Sequence, residues 1–261
     1  MKQKLMPVLF IGHGSPMNAI ENNEFTQNFI KIAKEIDRPK AIVCISAHWF
    51  TNGTKITSMD KPKTIHDFYG FPEELYNIDY PAIGDAKLAK EVKELLDGIK
   101  VELDTEWGLD HGAWSVLIHM YPNADIPVIQ LSINYNESAS YHYALAKKLL
   151  SLREKGVLIL GSGNIVHNLN IIDFRHIDTR DYGYEWARKA KDIINKSIIN
   201  GDFDSLVNYK DNRDLDLAIP TPEHFLPLIY ILGLKQEDEK IEFFNDILVG
   251  GSLSMTSVRI G

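Results

Sequence analysis

The chain has 261 residues, 44% of them hydrophobic and 25% charged, which is a globular composition and excludes a disordered or fibrous protein. Lys and Arg number 28 against 36 Asp and Glu, so a net charge of −8 supplies no general attraction to nucleic acid or anionic lipid, and small molecules are the expected partners. No stretch approaches the ~20 apolar residues of a membrane span. The apolar run 6–11 is short and meets Gly-His-Gly instead of a small-residue cleavage site, so a cytoplasmic protein is expected.

In chain order, apolar runs of strand length stand at 7–11, 41–47, 126–133, 157–160, 241–249 and 252–260. Helical spacing falls between them. Phe25, Phe29, Ile32 and Ile36 place one apolar face over 23–36, and Leu88, Val92, Leu95 and Leu96 do so over 85–96. Further helices are expected at 138–152, 184–200 and 222–232, the last with Thr221 as N-cap and Pro222 in its first turn. A short helix follows Asp110-His111. Alternating strands and helices, with no repeat or linker to divide them, predict one α/β domain over 1–261 whose central sheet is mostly parallel. The final strand 252–260 ends either in that sheet or at a subunit contact.

Residues 59–82 follow no apolar period for long and are rich in aromatics and prolines. A long ordered loop is expected there, serving as a substrate wall or as a set of aromatic anchors on the sheet. The single cysteine, Cys44, lies in an apolar run and reads as an inert core thiol.

Nine histidines are present, and position separates them. Ligands of open α/β sheets bind at the carboxyl ends of the strands. His13 stands just past the first strand in Gly-His-Gly-Ser-Pro, His48 past the second in Ser-Ala-His-Trp, and His167 beyond the fourth after Gly-Ser-Gly-Asn. His224 opens the predicted helix at 222–232, and its neighbour Glu223 points about 100° away around the axis, so only one of the pair should face a site. His111 lies in Asp-His-Gly-Ala-Trp. Such dispersed imidazoles, with no Cys companions and no closely spaced His pair, are unlike a zinc finger or a zincin helix and suit a catalytic metal site. His119, His142 and His176 sit in or beside helical patterns and read as structural. Gly161-Ser162-Gly163 lacks the third glycine of a dinucleotide turn, where Val166 stands, and no G-x-S-x-G motif supports Ser15 as a nucleophile.

Taken in order, G-H-G-S-P-M, S-A-H-W, H-D-F-Y-G-F-P, D-H-G-A-W, G-S-G-N-I-V-H-N-L and T-P-E-H-F-L-P-L resemble the class III extradiol ring-cleavage dioxygenases. Within that family the likeness is to the 4,5-DOPA dioxygenase extradiol branch, related to the catalytic subunit of protocatechuate 4,5-dioxygenase. The resemblance implies a metal held by His13, His48 and His224, with His167 beside it as a further ligand or as the acid/base. In the protocatechuate branch the third ligand is a glutamate, so Glu223 is the alternative to His224.

The expected reaction is insertion of O2 into a small aromatic diol such as DOPA. It needs Fe(II) with about three open coordination positions, and Zn(II) filling the same site should leave the protein silent, because zinc has no accessible redox change. His167 would move the proton of a substrate hydroxyl and His111 would hydrogen-bond substrate or oxygen. His66 and Phe71 on the aromatic loop would cover the planar ring. Two other classes fit the same residues: a zinc-dependent hydrolase with Glu223 as base, and a non-catalytic metal or ligand-binding protein.

Overall fold

The computed structural model describes residues 5–261. Six strands form the central sheet: β1 (Val8–Gly12), β2 (Ala41–Ser46), β3 (Val128–Gln130), β4 (Val157–Gly163), β5 (Ile241–Phe244) and β6 (Ser257–Ile260). Their order is β3-β2-β4-β1-β6-β5. The first four run parallel, with Ile42 opposite both Val128 and Leu158 and Val8 opposite Ile159, while β6 and β5 add antiparallel at the β1 side. The last strand thus ends inside the sheet, paired on both sides with β1 and β5, as one of the two expectations for the chain's end had it.

Strand periodicity divides the core between the two faces. Leu9, Ile11, Ile42, Cys44, Leu158 and Leu160 face one side, where α1 (Glu24–Glu35) and α3 (His111–Met120) pack. Val8, Phe10, Val43, Ile45 and Ile159 face the other, against α2 (Ala86–Leu95), α4 (Ala139–Lys147), α5 (Glu185–Asn200) and α6 (Leu226–Gly233). Strands buried on both faces read as continuous apolar runs, which is why these were legible. Cys44 is fully buried on β2, and burial pushes its thiol well above the usual range, as an inert core residue requires.

The helix starts follow from their caps. Asn23 Oδ1 accepts from the backbone of Phe25 and Thr26 at 3.0 Å, and Thr26 Oγ1 returns a bond to the Asn23 N–H at 3.1 Å. Asp85 and Asp110 cap α2 and α3 in the same sense.

Several boundaries differ from the sequence reading. The helix expected at 222–232 begins only at Leu226: residues 222–225 form a turn closed by the Leu226 N–H on the Pro222 carbonyl at 2.9 Å. Pro227 has no N–H to continue a helix backwards, and Thr221 Oγ1 bonds Glu223 Oε1 instead of capping. The fourth strand runs on through Gly161-Ser162-Gly163, which pair with Phe10, Ile11 and Gly12. The runs 126–133, 241–249 and 252–260 each break, leaving the pairs Ile133–Asn134, Leu248–Val249 and Leu253–Ser254 outside the central sheet. Thr54–Thr57 and Val101–Asp104 pair as a small parallel ribbon; they are too short and polar to stand out by pattern.

The loop at 59–82 is ordered and contains one short helix, Glu73–Tyr76. Phe68, Leu75 and Tyr80 are buried as anchors, while Tyr69 is 91% exposed. Among the described residues no helix is long and apolar enough to cross a membrane.

Leu160 is fully buried on β4 between the helices of one face and the strands that carry the site. Leu160→Ala should lower unfolding stability by about 2–5 kcal/mol. Urea titration should show the loss as a lower midpoint at unchanged slope.

Candidate metal centre

Strands β1, β2 and β4 are adjacent and parallel, so their carboxyl ends share one edge. His13 follows β1 directly, His48 stands two residues past β2, and His167 four residues past β4. Main-chain bonds continue beyond the strand ends, from His13 N to Gly163 O at 3.2 Å and from Ala47 N to Ser162 O at 3.0 Å. Gly14, at φ +66°, turns the chain immediately after His13. His224 is drawn in by its own carbonyl, which accepts from Asn164 N at 2.9 Å. Gly163 permits this approach, because a Cβ there would overlap that same carbonyl oxygen.

The rings of His13, His48 and His224 form a near-equilateral triangle, with centroids 5.0, 5.1 and 5.5 Å apart. Each ring's Nδ1 faces an acceptor. Ser162 Oγ gives its own proton to the Gly112 carbonyl at 2.5 Å, so at 3.0 Å it must accept from His13 Nδ1. His48 Nδ1 lies 3.3 Å from Asp67 Oδ2, and His224 Nδ1 lies 3.2 Å from Glu223 Oε1. The partners therefore assign all three as Nδ1–H tautomers with the lone pair on Nε2.

The Nε2 atoms of His13 and His48 stand 3.1 Å apart. Two lone pairs facing each other at that distance repel unless a cation lies between them, and imidazole Nε2 is the usual ligand atom for such an ion. By the chemistry of this donor set the residues fit a metal. Burial, then the neighbouring imidazoles, lowers His13 and His224 well below the ordinary histidine range. Burial and then His111 lower His48 to about 3, so the rings stay neutral and free to ligate at physiological pH.

His167 stacks on His224 with centroids 3.5 Å apart and planes within 7°. Its pKa falls to about 4, chiefly through burial. His111 lies on the other flank, 3.9 Å from the His48 centroid, with Nδ1 3.0 Å from Asp67 Oδ2. Phe68 meets His111 edge-on and carries Phe71 against it. His66 is further back: its Nε2 lies 3.0 Å from the Ile78 carbonyl and its ring packs on Phe68 and Trp114. Glu223 is occupied on its Oε1 by Thr221 and by His224. The structure thus gathers His13, His48, His111, His167 and His224, and leaves His66 as a second layer. A cavity of about 560 Å³, within the size range of small-ligand pockets, is walled by Ser15, Phe25, Phe71, Phe174, Leu253 and Met255; none of the five histidines lines it, and it includes Phe71 of the aromatic loop.

Three other histidines make structural bonds, as their positions suggested. His119 meets the Asn18 carbonyl, His142 lies between Tyr230 and the Asn134 carbonyl, and His176 pairs with Asp173. Ser15 Oγ accepts from Met17 N at 3.2 Å and caps a turn.

Sequence reasoning missed the layer behind the imidazoles. Asp67 stands within a quoted motif but had no role, and nothing in the pattern marks Ser162 as the partner of His13. Asp110 is fully buried, with Ser46 Oγ at 2.6 Å and Gln130 Nε2 at 2.8 Å, and caps the helix that carries His111. Burial and then the Asp67 charge raise its carboxyl.

Comparison with known proteins agrees with the site. Residues 7–261 match the family described as the catalytic LigB subunit of aromatic ring-opening dioxygenase. The chain is 47% identical to 4,5-DOPA dioxygenase extradiol of Escherichia coli strain K12, covering 100% of this chain and 97% of that one. It is 36% identical to the protein of the same name from Beta vulgaris, over 99% of this chain and 97% of the other. The crystal structure of the uncharacterized protein JW3007 from Escherichia coli K12 superposes with a TM-score of 0.84 at 42% identity, covering 98% of this chain and 100% of that chain. The chain belongs to the family of the catalytic LigB subunit of aromatic ring-opening dioxygenases. It is accordingly an oxidoreductase whose histidine cluster serves a metal, acting on an aromatic substrate with O2.

Acid should test the buried imidazoles in the metal-free protein. Unfolded histidines bind protons below their ordinary value near 6.5, whereas His48 and His167 in the fold do so only near 3 and 4. The unfolded chain then holds more protons, so stability is full above pH 6.5 and should fall steadily towards pH 4. Denaturant midpoints across that range would show it, and a flat profile would contradict the assigned burial.

Proposed function

We propose that this protein is an extradiol dioxygenase that opens a catechol ring of the DOPA type at a non-heme Fe(II) centre held by His13, His48 and His224. One observation carries the reading: the neutral imidazoles of His13 and His48 bring their Nε2 atoms to 3.1 Å at the carboxyl edge of the sheet, with the His224 ring 5.5 and 5.1 Å from theirs. The ring-opening family and the relatives named for DOPA supply the substrate class. Iron(II), when bound, supplies the electron transfer between diol and oxygen, which zinc lacks.

The chain's own residues bind, orient and move protons. His167, kept neutral by burial, accepts the proton of a substrate hydroxyl and returns it later in the cycle. Its stacking on His224 fixes the ring plane, so the acceptor nitrogen holds a set position relative to the ligands. His111 turns Nδ1 to Asp67 and presents its other nitrogen to a substrate oxygen. Phe71, against Phe68, lies along the planar ring and excludes water, with His66 supporting that wall from behind. Glu223 acts through His224 as the acceptor of its Nδ1–H and leaves ligation to the imidazole.

Metal-free protein reloaded separately with Fe(II) and Zn(II) should consume oxygen and form a yellow ring-opened product from DOPA only with iron. His13→Ala should abolish turnover. His167→Ala should retain metal while losing about 10²–10⁴-fold in kcat. A preparation with stoichiometric iron that consumes no oxygen with any catechol would contradict the assignment.

A further inference from the structure

We propose that Asp67 is a positioning residue shared by two imidazoles, holding His48 as a metal ligand and His111 as a substrate-side group in a common orientation. The inference rests on the proposed readings of His48 as a ligand and of His111 as a substrate-side group.

The carboxylate is itself held from two directions. Its Oδ1 accepts from the His111 backbone N–H at 2.8 Å, which fixes it at the first residue of α3. The loop that carries it is clamped to the same helix start by Ile65 N on Leu109 O at 2.8 Å, Leu109 N on Lys63 O at 2.9 Å and Trp114 Nε1 on Ile65 O at 2.8 Å. Oδ2 is left to face the imidazoles, 3.3 Å from His48 Nδ1 and 3.0 Å from His111 Nδ1. These are ion-pair approaches without hydrogen-bond alignment, and because an ionised carboxylate only accepts, they favour the tautomers that carry the proton on Nδ1. Both Nε2 atoms are thereby turned away from Asp67, and that of His48 meets His13 Nε2 at 3.1 Å.

An outer carboxylate raises the basicity of a ligating imidazole and fixes its tautomer, so its loss weakens metal binding. An asparagine at this position keeps the shape but offers one acceptor and one donor. It cannot accept from both rings and from the His111 backbone together. The aromatic loop therefore carries out two tasks: Phe68 and Phe71 wall the substrate while Asp67 sets the ligand.

Zinc binding by the metal-free protein, in competition with a chromophoric chelator, tests this without reference to turnover. Asp67→Asn should weaken zinc binding about 10–100-fold. Thr64→Val, which removes a hydroxyl that anchors the same loop to Asp79 and Tyr80, should lower thermal stability and leave zinc affinity unchanged. In a His48→Ala background, Asp67→Asn should cost nothing further, because its effect passes through His48. Nitrogen NMR of labelled histidine should show His48 protonated at Nδ1 in the parent protein and mixed tautomers in Asp67→Asn. The inference is overturned if Asp67→Asn binds zinc as the parent does, if it weakens binding equally without His48, or if the parent takes up no zinc. Should zinc binding follow the expected pattern while iron-loaded protein opens no catechol, Asp67 keeps its role and the reaction assignment fails.

Discussion

The structure depends on the parallel register of β1, β2 and β4. Backbone ladders fix Val8 opposite Ile159 and Ile42 opposite Leu158, so the three strands end together on one edge. Hydrogen bonds from His13 and Ala47 back to Gly163 and Ser162 extend that order past the strand ends. His13 and His224, 211 residues apart in the chain, then meet with ring centroids 5.5 Å apart.

The sheet also decides the chemistry of the imidazoles. An edge enclosed by α3, the aromatic loop and residues 222–225 removes water, and removal of water keeps buried histidines neutral. Neutral rings need acceptors for their Nδ1–H groups, and Ser162, Asp67 and Glu223 provide one each. Behind these, buried Asp110 joins Ser46 at the end of β2 and Gln130 at the end of β3 to the start of the helix that bears His111. The placement of the imidazoles is in this way transmitted from strand register through a layer of polar contacts.

Much of this was legible from residues alone, for stated physical reasons. Strands buried on both faces appear as unbroken apolar runs, and the helices over Phe25–Ile36 and Leu88–Leu96 show one apolar face with a capping residue before each. Histidines just past strands were therefore placed on the correct edge by topology. The start of α6 was misplaced because two prolines compete: Pro222 reads as a helix opening, but Pro227 prevents a helix from continuing back to it. Gly161-Ser162-Gly163 reads as a turn, yet it is a strand whose side chains are small because residues 224–227 press against it. Asp67, Ser162 and Gln130 carried no signal at all, since a polar residue behind an imidazole is recognised only by what it faces.

The central claim is that the imidazole cluster serves insertion of both atoms of O2 into a diol ring. Turnover of DOPA by the iron-loaded protein under isotopically labelled oxygen, followed by mass spectrometry of the ring-opened product, tests it most directly. The account predicts that both labelled atoms appear in the product before exchange with water. Label in one position only, or none with release of hydrogen peroxide, would contradict it.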